Sequence, residues 1–321
     1  MGRAATTLRY VLKRLLLSLP TLLIAAIFVF ALIRMIPGDP AQVMLGPDAD
    51  AEAVAALHQQ MGLDRPLAAQ FLTWIAHAAR GDLGVSAVTG EAVLPLLLQR
   101  FQVTASLVVS AVALATLIAL VFGLVAASRR GRHIDSAIVA GSALSMAVPS
   151  FWLGLMLLLV FGVKLQWLPV VGFVPLKEHF GLGLLYLILP VATLAIVESG
   201  VLTRMMRESA LDVLRLEYVT HARAKGVSEP AVLVKHVLPN AFAPTLTLVG
   251  LTLGHLLGGA AVIETVFTLP GLGRLIVDSI LARDYAVVQG CLLFTALVYV
   301  LINLAVDLCY PLLDPRVTVE G

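Results

Sequence analysis

A chain of 321 residues with 60 % hydrophobic and only 13 % charged side chains has too little polar surface for a soluble globular domain. Its formal net charge of +2 is too small to make nucleic acid a main partner, so where the charges sit matters more than their sum. The two cysteines, Cys291 and Cys309, fall on one predicted helix about 27 Å apart, beyond disulfide reach, and read as apolar packing residues.

The N-terminus places Arg3, Arg9, Lys13 and Arg14 before an apolar run from Leu15 to Ile33. That run is long enough to cross a bilayer, and no small-x-small cleavage pattern follows it cleanly. It is therefore expected to be an uncleaved first span. Residues 34–101 form a polar interlude opened by Ile36-Pro37-Gly38-Asp39-Pro40. Two modest helices are predicted there, near Ala51–Met61 and Pro66–Ala79, and the second lines up Leu67, Phe71, Trp74, Ile75 and Ala78. The simplest expectation is a helical cap on the membrane surface. His58 and His77 have no third ligand in register, so no metal site is expected.

Five more apolar runs follow: Val103–Ala127, Ile134–Val163, Leu182–Ser199, Ala241–Ile263 and Val287–Tyr310. Pro149 and Pro190 interrupt two of them and predict kinks. The fold class is thus an all-α polytopic membrane protein of six transmembrane helices with both termini on one side. Its expected divisions are a tail and first helix (1–33), a helical loop (34–101), a five-helix domain (102–311) and a tail (312–321). The N-terminal tail, the Ser128–His133 loop, the Arg204–Lys235 segment and the C-terminal tail hold fourteen of the 22 Lys and Arg residues. The opposite loops hold eight, against eleven acids from Asp39 to Asp284. By the positive-inside rule the termini are cytoplasmic and the 34–101 loop external.

Between the fourth and fifth spans lies the most polar stretch, Glu217–Asn240. It predicts two short helices broken at Gly226, which tolerates the left-handed conformation that closes a helix. The first would bury Leu211, Leu214, Tyr218 and Ala222. The second would start at Ser228 with Pro230 in its first turn, present Leu233, Val234 and Val237, and stop at Leu238-Pro239.

No GxxxxGK[ST] phosphate loop, HExxH, GxSxG or post-strand GxGxxG occurs in the sequence. No catalytic residue, cofactor or metal is therefore assigned, and an intramembrane enzyme finds no nucleophile–base pair. Glu198, Glu264 and Asp307 lie within or at the edges of the predicted spans, where a carboxylate is costly. Near span ends they read as structural or interface groups rather than proton relays. His255 reads as a packing residue, and Arg129, Arg130 and Arg132 as topology anchors.

The same residues resemble the permease subunit of a bacterial ABC importer of the dipeptide, oligopeptide and nickel class. Glu217–Asn240 is similar to that family's EAA loop, here about residues 204–240: EAA, three residues, Gly, nine residues, then I-x-L-P. Anchored on Gly226, the pattern places Leu238 and Pro239 correctly, and Ala222 matches its second alanine. Thr220, His221 and His236 depart from the consensus, while Tyr218, Ala222, Arg223, Ala224, Lys225 and Gly226 resemble the peptide branch. Further similarities run through Gly62-Leu63-Asp64 with Pro66, Gly81-Asp82-Leu83-Gly84 with Ser86, and Pro149 with Phe151-Trp152. They continue in Glu264 and Phe267, in Pro270-Gly271-Leu272-Gly273-Arg274, and in Arg283-Asp284-Tyr285 with Val288-Gln289. Ala286 stands where proline is usual. Asn303, Asp307 and Asp314-Pro315-Arg316 complete the resemblance.

What the resemblance implies is a type I ABC importer permease fold in the bacterial inner membrane. The implied partners are a second permease, two ATP-binding-cassette ATPases, a periplasmic or lipid-anchored substrate-binding protein and membrane lipid, with no nucleic acid. Tyr218, Ala222, Arg223, Ala224, Lys225, Gly226, Leu238 and Pro239 would couple to the ATPases. Glu264, Pro270, Gly271, Gly273, Arg274 and Asp284 would form the outer-loop signature. Short peptides are the favoured cargo, with nickel or glutathione on the same machinery as alternatives. A stand-alone secondary transporter is the distant alternative, since no inverted repeat is evident.

Overall fold

A computed structural model of the chain describes residues 2–35, 40–46, 49–60, 62–175 and 177–313. Ile36, Pro37, Gly38 and Asp39 of the first signature, and Asp314, Pro315 and Arg316 of the last, lie outside the described residues. The helices in chain order begin with α1 (Gly2–Met35), α2 (Pro40–Leu45), α3 (Ala51–Gln60) and α4 (Leu67–Ala79). Next come α5 (Val93–Ser128), α6 (His133–Ala147), α7 (Ser150–Leu157, continued by a π turn over Leu158–Lys164) and α8 (Phe180–Leu214). The last third holds α9 (Glu217–Ala224), α10 (Glu229–Val232), a π turn at Leu233–Val237, α11 (Leu238–Gly259), α12 (Ala261–Val266), α13 (Leu272–Leu281) and α14 (Tyr285–Leu313). Among the described residues there is no named β-strand.

Among the described residues, five helical stretches are long and apolar enough to cross a membrane. The predicted third span is different: α6 and the α7 segment meet at a 98° bend, so the count reaches six only if that bent pair is one span. Pro149 explains the break. It disfavours helical geometry at Val148, which is extended at φ −84°, ψ 125°, and it brings no N–H to continue the ladder. Pro190, by contrast, sits inside an unbroken α8. The predicted fourth span ended at Ser199, but α8 runs on to Leu214, 35 residues or about 52 Å. It is therefore about 20 Å longer than a hydrocarbon core of about 30 Å.

α5 and α8 form the central pair, with α11 against both, α14 on α11, α1 on α14, and α6 on α8. The close approach of α5 to α8 comes from a stripe of small residues. Ala111, Ala115 and Ala119 are fully buried at four-residue spacing, and Gly123 continues the row. A Cβ at Gly123 would sit 2.7 Å from Met206 Cβ and 3.1 Å from the Thr203 carbonyl, both on α8. Above and below this stripe the core divides into layers. Val103, Leu107 and Val108 pack with Leu189, Leu256 and Phe267 at one end, and Leu124 and Ala127 with Met206, Val213 and Val237 at the other.

One polar and one aromatic clasp supplement the packing of the central helices. Asp135 at the start of α6 holds Arg207 of α8 through a forked pair at 2.6 and 2.9 Å, and also accepts the Gly131 N–H at 2.9 Å. On the far side, Phe30 of α1 meets Phe71 and Trp74 of α4 at centroid distances of 5.4 and 5.9 Å, so the predicted apolar stripe of α4 finds its partner on the first helix.

Gly200 lets α8 touch α6, since a Cβ there would overlap Ser145 Oγ and approach the Ser142 carbonyl to 2.7 Å. Gly200→Leu is expected to cost about 1–3 kcal/mol by overpacking. A lower apparent Tm in detergent checks this, with the far-UV helical signal unchanged.

Candidate functional site

The candidate site residues gather in two clusters, one at each end of α11. That helix has 22 residues and a length of about 33 Å.

At the first end, α9 and α10 form an elbow. Leu211 and Leu214 do not share a helix with Tyr218 and Ala222 as the sequence pattern suggests. They belong to α8, and the chain turns at Arg215-Leu216 before α9 begins. The buried face of α9 is Val219 and Ala222, while Tyr218 is exposed. Gly226 has φ +81°, in the left-handed region. Its N–H donates to the Arg223 carbonyl at 2.9 Å, and the Val227 N–H donates to the Ala222 carbonyl at 3.3 Å. These two bonds close α9 in a Schellman motif, which satisfies carbonyls the helix end would leave open. Nothing lies within 4 Å of a Cβ at Gly226, so backbone conformation rather than space requires the glycine.

Arg223 braces this elbow. Its guanidinium bonds both Glu229 oxygens at 2.7 and 3.2 Å, linking the last turn of α9 to the first turn of α10 across Gly226. Ser228 stands at the N-cap position without a side-chain capping bond, and Pro230 occupies the first turn as predicted. The second helix does not stop at Leu238-Pro239. It passes through the π turn into α11, where Pro239 sits in the first turn. The Tyr218 hydroxyl donates to the His236 carbonyl at 3.2 Å, and Asn240 Nδ2 donates to the same oxygen at 2.8 Å. Val219, Val232 and Val237 are fully buried against Met206, Ala210 and Val213 of α8. Val234, predicted on the apolar face, is exposed together with Leu216, Tyr218, Ala224 and Lys225. Leu238 is half-buried and Pro239 exposed. The elbow is thus anchored by one face and offers the other.

At the second end, the predicted signature assembles around Glu264, which is fully buried rather than open to interfacial water. Glu264 Oε1 accepts the Thr104 hydroxyl at 2.5 Å and Oε2 accepts the Arg274 N–H at 2.8 Å, with a further bond from the Gly273 N–H. Thr104 in turn accepts the Leu272 N–H at 2.8 Å. The first three N–H groups of α13 are therefore capped by side chains from α12 and α5, and a carboxylate at a helix N-terminus also meets the positive end of its dipole. The glycines follow from this geometry. A Cβ at Gly271 would overlap the Glu264 carboxylate, and one at Gly273 would lie 2.7 Å from the Ala261 backbone. Pro270 and Arg274 are half-buried beside them.

Asp284 makes a second junction. Its Oδ2 accepts the Ser86 hydroxyl at 2.5 Å and its Oδ1 accepts the Val287 N–H at 3.3 Å, capping α14. Ser86 Oγ also accepts the N–H groups of Val88 and Thr89. Two distant signature segments, Gly81–Ser86 and Arg283–Tyr285, meet in this bond. Thr104, Glu229 and Asp135 were missed as partners by sequence reasoning. For Thr104 the one available signal was a hydroxyl in an otherwise apolar run.

Burial pushes the Glu264 carboxyl above the ordinary glutamate range, against the opposing pull of Thr104 and the α13 N–H groups. Folded protein then holds this proton more tightly than unfolded chain. The contribution of this group to stability is fully present below about pH 4.3, where an unfolded glutamate is protonated, and is lost as pH rises through the folded value. Glu264→Gln is expected to lower the apparent Tm overall but to flatten that decline, as Tm scans across pH would read.

The family described as binding-protein-dependent transport system inner membrane component matches residues 119–319, and its N-terminal companion matches residues 7–108. The chain is 41 % identical over 308 residues to a probable peptide ABC transporter permease protein, y4tP, of Sinorhizobium fredii, covering 96 % of this chain and 98 % of that one. It is 43 % identical over 310 residues to the glutathione transport system permease protein GsiC of Salmonella choleraesuis, covering 97 % and 99 %. The GsiC of Escherichia coli K12 is 42 % identical over the same length. Among solved structures, an inward-facing form of the MetNI methionine ABC transporter shares the fold, with TM-score 0.56 and 18 % identity over 68 % of this chain and 96 % of that one. The chain belongs to the binding-protein-dependent transport system inner membrane component family: it is a multi-pass inner membrane permease subunit of an ABC importer, without enzymatic activity of its own and working with ATPase, permease and binding-protein components.

Proposed function

We propose that this chain pairs with a second, non-identical permease to form a path for short peptides, driven by two ATPases, one of them seated on the exposed face of α9 and α10. In this reading both termini are cytoplasmic, residues 34–101 lie outside, and the Glu264 and Asp284 junctions face the substrate-binding protein. The domain divisions keep the boundaries expected from the sequence. Short peptides are supported by the relatives' names: one is a peptide permease, and glutathione is itself a small peptide.

The observation that carries the coupling role is the construction of the elbow. The Schellman turn at Gly226 and the Arg223–Glu229 fork fix the angle between α9 and α10, and the buried valines fasten both to α8. The exposed face presents Leu216, Tyr218 and Val234 among polar groups, a composition suited to a protein groove. A force applied there passes into α8 and α11 as a rigid-body motion. The energy for it comes from ATP hydrolysis on the partners.

Gly226→Val forces a β-branched residue into left-handed backbone, at about 1–2 kcal/mol. In the reconstituted importer, peptide-stimulated ATPase turnover and uptake are expected to fall about tenfold, with membrane insertion preserved. Wild-type uptake by this variant would remove the coupling role. The cargo is tested on the cognate binding protein by calorimetry with trialanine, glutathione and nickel in parallel. Tight nickel binding without peptide binding would overturn the peptide reading.

A further inference from the structure

A further polar cavity lies at the outer end of the bundle, beside the Ser86–Asp284 junction. A cavity of about 490 Å³ opens between the end of α1, the turns that follow α3 and α4, and the first turn of α14. Its volume falls within the range of about 300–1,000 Å³ usual for small-molecule sites. Arg34, Arg65 and His77 line it, and Asp82 is the one carboxylate among its described lining residues.

Three features show what chemistry the cavity lacks. Gln70 Nε2 donates to the Leu63 carbonyl at 3.0 Å and the Arg65 carbonyl at 2.7 Å, which uses both amide protons and fixes the amide orientation. Its Oε1 is then left buried and without a hydrogen-bond donor, on a residue that lines the cavity. A buried acceptor left this way costs about 1–3 kcal/mol. Among the described residues neither Arg34 nor Arg65 has an ion-pair partner. Arg34 instead stacks its guanidinium 5.3 Å above the Phe30 ring, which leaves the N–H edge for a planar anion. The Asp82 carboxylate is already engaged, accepting the Gly84 N–H at 3.0 Å.

We infer that this cavity binds the C-terminal residue of a short peptide. Such a residue places a carboxylate next to an amide N–H, the anion for Arg65 and Arg34 and the donor for Gln70 Oε1. The site is a holding place on the outer side of the permease, distinct from the Glu264 junction and next to the Asp284 one. This inference rests on the peptide reading above.

The test is equilibrium binding of radiolabelled trialanine and of trialanine C-terminal amide to the assembled importer in nanodiscs, without ATP or binding protein. Wild type should bind the acid saturably and the amide about tenfold more weakly, the loss of one charge-assisted contact. Arg65→Ala, an exposed position, should weaken the acid by the same factor and abolish the preference for acid over amide. Gln70→Leu should weaken both ligands while keeping the preference. Absence of saturable binding, or an undiminished preference in Arg65→Ala, overturns the site. Competition of trialanine by the peptide-free binding protein would make the occupant a protein loop and overturn it as well. Uptake of trialanine by the same importer separates the two readings: uptake without cavity binding sinks the site alone, and no uptake sinks the peptide reading.

Discussion

The bundle depends on one contact, the stripe of Ala111, Ala115, Ala119 and Gly123 on α5 pressed against α8. In a membrane no hydrophobic force drives helices together, because lipid tails are as apolar as leucine. Association rests on dispersion and close backbone approach, which small residues allow. The other long helices build outward from this pair. α11 lies in the groove between them, α6 is clasped to α8 by Asp135 and Arg207, and α14 and α1 follow on the outer flank of α11.

The polar junctions then turn a bundle into a device with two ends. At one end the Glu264 carboxylate caps α13 from α12 while Thr104 of α5 holds both, so three helices share one buried hydrogen-bond network. Such a network is stiff because each group has its partner and none can leave without stranding another. At the other end the α9–α10 elbow is buried on one face only. α11 joins the two directly, its first turn continuous with the elbow and its last residue next to α12. The elbow and the Glu264 junction are thus joined by one helix rather than by a loop.

Much of this was legible in the sequence, because lipid imposes long apolar helices and the charges report their flanks. The Gly226 turn was legible too: few residues other than glycine accept φ near +81°. What pattern reading missed were features set by tertiary partners. Leu211 and Leu214 continue the periodicity of Tyr218 and Ala222, yet the chain breaks at Arg215-Leu216, where no Gly or Pro marks a stop. Pro149 bends the chain by 98° while Pro190 leaves α8 intact, and the local sequence does not distinguish them. Glu264 lies close to a predicted span end, where water is near, but Thr104, 160 residues away, and the folded-back α13 enclose it.

The π turn at Leu233–Val237 gives the motif's fixed spacing another meaning. A π turn carries more residues per turn than the α-helix around it, so it rotates everything before it relative to α11. It also shifts the carbonyl pattern, and at its end the His236 oxygen is claimed by Tyr218 from α9 and by Asn240 from α11. One residue in an α-helix corresponds to about 100° of rotation. The interval from Gly226 to Leu238-Pro239 is thus an angular setting as well as a length. Adding or removing a single residue there would aim the exposed face of the elbow at a different side of the molecule, with every span still in place.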